Sequence, residues 1–126
     1  MKKIVLALTI LSCFYFLPYV YGAEPKVGSS VDGDIFLYRE FVEGYWNDWM
    51  SNPQAIKSKQ LPSQVQITVK SEGKTKGFKG ELILNCKNGK YDWKNTENFS
   101  EPVPRKDVDG IVPNTVIKNS IKLFCK

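Results

Sequence analysis

Asp107, Asp109 and Gly110 are the residues nearest in pattern to a calcium loop. Such a loop ends on a bidentate acid, and the residue at that place is Lys118, so no cation site is expected. Ser58 and Lys59 make a nominal serine–lysine pair, but adjacent residues point apart. Gly73-Lys74-Thr75 lacks the preceding glycine pattern of a phosphate-binding loop and leads into a strand rather than a helix. Glu40 and Glu43, at i and i+3, would share a helical face, where a solvated carboxylate pair is the plainer reading. Asn98-Phe99-Ser100 fits the glycosylation sequon, which matters only in a eukaryotic secretory pathway. The chain has no histidine, which excludes a Ser/His/Asp triad, a Cys/His dyad, a histidine base and nearly every zinc site built on imidazole. No catalytic residue, cofactor or metal is therefore expected. A small hydrolase would need an acid-based site that the sequence does not announce.

The elements that must position any binding residues begin after an apparent address. Of 126 residues, Lys2 and Lys3 give a positive start, and no charge occurs from Ile4 to Gly22. Pro18 breaks the apolar run near its end, and Val20 and Gly22 suit a cut before Ala23, so residues 1–22 read as a secretory signal peptide. Two alternatives stay open, an uncleaved membrane anchor and lipid attachment at Cys13. After removal of 1–22, no stable membrane span is expected, and one small domain remains. Its two cysteines, Cys86 and Cys125, form an even pair in an oxidising compartment, where a disulfide is expected. Closing a loop of about 40 residues removes chain entropy worth roughly 4 kcal/mol from the unfolded state.

Residues 23–33 read as a polar, flexible leader and 34–126 as the domain. Ile35, Tyr38, Val42, Tyr45 and Trp49 recur at steps of three and four, which predicts an N-terminal aromatic helix stopped by Pro53. Phe36, Phe41 and Trp46 widen its apolar stripe, and Arg39, Glu40, Glu43 and Asp48 mark its wetter side. Gly44 would weaken that helix by about 1 kcal/mol. From Ser63 the period changes to two: Val65, Ile67 and Val69 form one face of a strand, and Glu72 to Gly77 reads as a hairpin loop. In a second strand Leu82, Leu84 and Cys86 share a face. Asn88-Gly89 predicts a tight hairpin, and a third strand starts at Tyr91 and Trp93. Asn95 to Pro113 reads as a long connection. Pro113 opens a final helix striped by Val116, Ile117, Ile121, Leu123 and Phe124. The expected fold class is α+β, an aromatic helix, a three-stranded antiparallel meander and a C-terminal helix tied to the sheet by the disulfide.

Charge is unevenly divided. Residues 23–54 carry six acids and two bases, and the remainder carries fourteen bases and seven acids. The net charge after removal of 1–22 is too mild for a dedicated nucleic-acid binder, so no nucleic acid is expected as partner. Lys70, Lys74, Lys76 and Lys79 gather near the first hairpin loop, and Lys90 continues the pattern. They offer a basic surface to a protein or an anionic surface polymer outside the cytoplasm, and also serve to protect strand edges. Tyr45, Trp46 and Trp49 offer an alternative, aromatic surface, although aromatics at helical spacing are more often core.

Residues 82–125 carry a resemblance. A strand ending Leu84-Asn85-Cys86 runs into Lys87-Asn88-Gly89-Lys90-Tyr91. After a proline-bearing connection comes Val112-Pro113-Asn114-Thr115-Val116, ahead of a helix closing in Leu123-Phe124-Cys125-Lys126. This resembles the surface-adhesin protein E family of small exported bacterial proteins. The resemblance implies an antiparallel sheet, a disulfide joining a strand to a terminal helix at Cys86 and Cys125, and, for some members, binding of host matrix proteins. It also implies a strand-rich beginning, from which the aromatic helix departs. The functional expectation is a non-catalytic, adhesin-like protein of the periplasm or cell surface, with a periplasmic immunity or inhibitor protein against a toxin or hydrolase as the alternative.

Overall fold

The computed structural model describes residues 23–58, 61 and 63–126. The expected signal peptide, the anchor alternative, Cys13 and Lys59 lie outside the described residues. Strand accounts for 48% of what is described and helix for 15%. The expected α+β fold with an N-terminal aromatic helix is thereby corrected, because the domain is mostly β.

The strands are β1 (Ser30–Val31), β2 (Asp34–Val42), β3 (Tyr45–Ser51), β4 (Ile56–Lys57), β5 (Gln64–Gly73), β6 (Phe78–Asn85), β7 (Tyr91–Asn98) and β8 (Glu101–Pro102). Every pairing is antiparallel, in the order β1-β2-β3-β5-β6-β7-β8, with β4 also on β5. β3 pairs with Val69 to Gly73, and β4 pairs with Val65 and Gln66, so the two are pieces of one interrupted strand. Asn52 patches the gap. Its N–H donates to the Thr68 carbonyl at 3.1 Å, and its Oδ1 accepts the Thr68 N–H at 2.9 Å.

The expected helix over 34–52 is the β2–β3 hairpin. Glu43 and Gly44, at φ 52° and 82°, form its two-residue turn, with Val42 opposite Tyr45. Two successive positive φ values are what such a turn requires, and glycine meets the second without a Cβ clash. Val, Ile, Phe, Tyr and Trp dominate the flanks, and these side chains suit a pleated surface better than a helix. Ser30 and Val31, at the end of the expected leader, pair with β2 through a second such turn at Asp32-Gly33.

The expected meander is present as β5, β6 and β7. Val65, Ile67, Val69, Leu82 and Leu84 are buried on one face. At the Asn88-Gly89 turn only Gly89 takes a positive φ, because the loop is a wider one in which Asn85 N–H meets the Lys90 carbonyl at 2.8 Å. The expected connection from Asn95 to Pro113 is partly structured. β7 runs to Asn98, Phe99 and Ser100 turn it into β8, and a short helix α1 (Arg105–Val108) follows.

Helix α2 (Asn114–Phe124) packs Val116, Ile117 and Ser120 inward, and Ser120 Oγ satisfies itself on the Val116 carbonyl at 2.7 Å. Beneath it, Phe78 packs against Trp49 at a tilt and edge to face against Trp93, with centroids 5.5 and 5.3 Å apart, joined by Leu37, Ile67, Leu82, Val108 and Val112. Burying Val116 and Ile117 stabilises the helix by roughly 1.5–3 kcal/mol each. The Cys86–Cys125 disulfide ties the end of α2 to the end of β6.

Candidate functional site

Alternation along the first hairpin sorts its side chains onto two faces. Phe41 lies opposite Trp46 and Arg39 opposite Asp48 on the outer face, while Glu40 faces Asn47 and Tyr38 faces Trp49 on the core face. A register shift at Leu37 brings both Leu37 and Tyr38 against the core. The three expected aromatic residues are therefore divided: Trp49 is fully buried, whereas Tyr45 and Trp46 are exposed.

Phe41 and Trp46 meet edge to face, with centroids 6.5 Å apart and planes at 87°. Arg39 stacks over Trp46 at 4.8 Å and forms a bidentate pair with Asp48 at 2.8 and 3.0 Å. The hydrogen bond to Asp48 raises the Arg39 pKa against the opposing effect of desolvation, and the charges of Asp48 and Glu24 add to it. Around the hairpin tip, Gly44, Tyr45, Trp46, Glu72, Gly73 and Lys74 line a cleft of about 340 Å³, with the Lys74 ammonium 4.9 Å from the Tyr45 ring centre. A cation stacked on an aromatic face contributes about 0.5–1 kcal/mol at exposed sites.

The core face of the same hairpin is locked. Lys76 Nζ donates to both Glu40 oxygens at 3.1 and 2.9 Å and to the Ile111 carbonyl at 2.6 Å, and Trp49 Nε1 donates to Glu40 at 3.1 Å. Asn47, fully buried, donates to Thr75 Oγ1 at 2.6 Å and accepts the Lys76 N–H at 3.3 Å. Gly73 leaves room for this clasp, since a Cβ there would collide with the Asn47 carboxamide.

The structure does not gather the five expected lysines into one surface. Lys70 pairs with Asp34 at 2.8 Å and Glu72 at 3.6 Å. Lys76 is part of the clasp. Lys79 sits beside Glu81 and Glu97 on the outer face, and Lys90 lies in the loop at the other end of β6, about 20 Å along the strand. Lys74 alone joins the aromatic tip. Sequence reasoning missed Phe41 and Arg39 as members of a surface. The available signal was Glu43-Gly44 between pairs of β-forming residues, which places Phe41 and Trp46 opposite each other, each two positions from the turn.

Among the described residues no group of three His, Cys, Asp or Glu is placed to hold a metal ion, and no helix is long and apolar enough to cross a membrane. Compared with protein-family models, curated proteins and solved structures, the chain matches none.

Proposed function

We propose that this protein is an exported, non-catalytic binding domain that holds a macromolecular partner outside the cytoplasm through the outer face of the β2–β3 hairpin. One observation carries the reading: Phe41 and Trp46, 69% and 47% exposed, are fixed edge to face on the outer surface with Arg39 stacked on the indole. Aromatic and arginine side chains dominate the binding energy of protein interfaces, and a pre-ordered set loses little entropy on association. The Cys86–Cys125 bridge supports an oxidising compartment, periplasmic or extracellular. The resemblance to the surface-adhesin E type adds an adhesin-like role, with a host matrix protein as partner.

The test compares the exported protein with Phe41→Ser/Trp46→Ser for binding to immobilised matrix proteins and to periplasmic proteins. Binding by the parent, weakened at least about tenfold in the variant at an unchanged melting temperature, supports the proposal. Equal binding by both moves the site off this face, and a partner consumed rather than held ends the non-catalytic reading.

A further inference from the structure

The acids of the chain avoid one end of the molecule. Residues 51–66, 82–91 and 110–126 carry seven lysines and none of the 13 aspartates and glutamates. The fold brings these three segments together. Cys86 N–H reaches the Ser63 carbonyl at 2.7 Å, Ser58 N–H reaches the Gln64 carbonyl at 3.0 Å, and the disulfide fastens Cys125 to Cys86. Lys57, Lys87 and Lys126, one from each segment, rim a cleft of about 360 Å³ that Val65, Phe124 and the disulfide also line. Lys90 belongs to the same loop as Lys87. All four lysines are exposed, and among the described residues none of them is ion-paired. Structural duties account for part of this charge, since Lys122 and Lys126 complement the carboxyl end of the α2 dipole and Lys57 protects the edge strand β4. Lys87 and Lys90, in a turn between two paired strands, have neither duty.

Hydrocarbon is exposed at the same end. Leu61 N–H donates to Ser58 Oγ at 3.1 Å and the Leu61 carbonyl accepts the Gln64 N–H at 2.8 Å, which holds Leu61 in a closed turn with 58% of its surface exposed. Ile56, next to Lys57, is 66% exposed. Lysines around protruding aliphatic side chains match a surface that offers anionic groups above hydrocarbon. A dissolved polyanion would satisfy the lysines and leave Leu61 and Ile56 in water.

We propose that this end of the protein docks peripherally on a bilayer bearing anionic phospholipid headgroups. A headgroup phosphate sits between Lys57, Lys87 and Lys126, and Leu61 enters the boundary with the acyl chains. The aromatic hairpin lies at the opposite end, because β5 runs from Gln64, beside the lysine cleft, to Gly73 in the tip cleft, about 30 Å away. Residues 34–51 of that hairpin carry four acids and one base, so an anionic bilayer favours the lysine end over the aromatic one. A protein docked in this way holds Phe41 and Trp46 clear of the membrane.

The test is co-sedimentation of the exported protein with vesicles of equimolar phosphatidylglycerol and phosphatidylcholine. Binding is expected to be at least about tenfold stronger than to phosphatidylcholine alone and to weaken as salt rises. Lys57→Glu/Lys87→Glu should weaken it at least about tenfold at an unchanged melting temperature. Lys79→Glu/Lys94→Glu, which changes the net charge equally on the outer face of β6 and β7, should weaken it less than about twofold. Leu61→Ser should weaken it about threefold or more. Trp49 and Trp93 are buried, so quenching of fluorescence by aqueous acrylamide reports on Trp46 and should persist on the vesicles. Absence of binding to the mixed vesicles overturns the proposal, as does equal binding to phosphatidylcholine alone. Equal weakening by the two double variants overturns it by reducing the effect to net charge, and shielding of Trp46 does so by placing the hairpin on the bilayer. Dextran sulfate provides the last arm: if it binds as tightly as the mixed vesicles and Leu61→Ser alters neither, a dissolved polyanion takes the site and the bilayer does not.

Discussion

At the β7 edge of the sheet the chain doubles back to cover itself. β8 pairs with Glu97 and Asn98, Val103 N–H reaches the Thr96 carbonyl at 2.9 Å, and α1 packs on β7 with Val108 fully buried. Arg105 is bonded to Asp92 at 2.7 Å, and Pro102 and Pro104 keep the covering segment from offering a new edge. At the β2 edge the described cover stops at Leu37, and β2 is held from the inside instead, by Glu40 on Lys76 and Trp49 and by the buried Asn47 of β3. A strand left open to solvent need not fray if its inner face is tied down. The first edge is closed by the chain's own backbone, whereas the second is held from within.

Reduction of Cys86–Cys125 offers the largest effect. Losing the cross-link should lower stability by about 2–4 kcal/mol and reduce the melting temperature markedly. Because α2 packs on β2, amide exchange should accelerate in β2 before β7, and the opposite order would break the comparison. Lys76→Glu should come next. Placing a second carboxylate beside Glu40, in a site where both side chains are under 20% exposed, should cost about 2 kcal/mol by urea unfolding. Lys74→Glu and Lys79→Glu, both exposed, should stay within about 0.5 kcal/mol.

Asn119→Ala should cost about 1 kcal/mol, leaving the Leu37 carbonyl without its donor and lengthening the open edge by one residue. Its signature is faster exchange in β2 with β7 unchanged. The smallest effect is acid sensitivity of the covered edge. The hydrogen bond from Arg105, and after it the Trp93 backbone N–H, hold the Asp92 carboxyl below its ordinary value. Its stabilisation is thus complete above the ordinary aspartate pKa near about 4 and is lost as pH falls through the lower value of the folded state. Exchange in β7 should rise over that acid range in the parent, and this dependence should weaken in Arg105→Gln, where the Trp93 N–H alone still favours the carboxylate.

The second half of the fold was legible because its polarity obeys its geometry. Val65, Ile67 and Val69 alternate with Gln66, Thr68 and Lys70, and Pro113 opens the helix that carries Val116 and Ile117 inward. In the first hairpin polarity runs against geometry. Glu40, Asn47 and Ser51 occupy core-face positions, and Phe36, Phe41, Trp46 and Met50 occupy outer ones, which erases the period of two. The bulge at Leu37 and the two-residue turn then respace the remaining apolar residues at three and four, and an amphipathic helix appears where none forms. Of the candidate site, Tyr45, Trp46 and Lys74 were legible. Trp49 was legible as core, although from a helical spacing that the strands do not have, whereas only the paired strands place Lys76 in the interior.

The order of the strands also governs how the molecule assembles. Apart from the break at Asn52, each strand pairs with its neighbour in sequence, so the sheet can grow turn by turn through hairpins that close in about 1–10 μs. The contact from Asn119 to Leu37 spans 82 residues and closes one of the longest loops in the domain. Docking of α2 is therefore expected to be a late step in folding. Substitutions in β5 and β6, such as Ile67→Val, should slow folding, whereas truncation of Val116 should act chiefly by speeding unfolding.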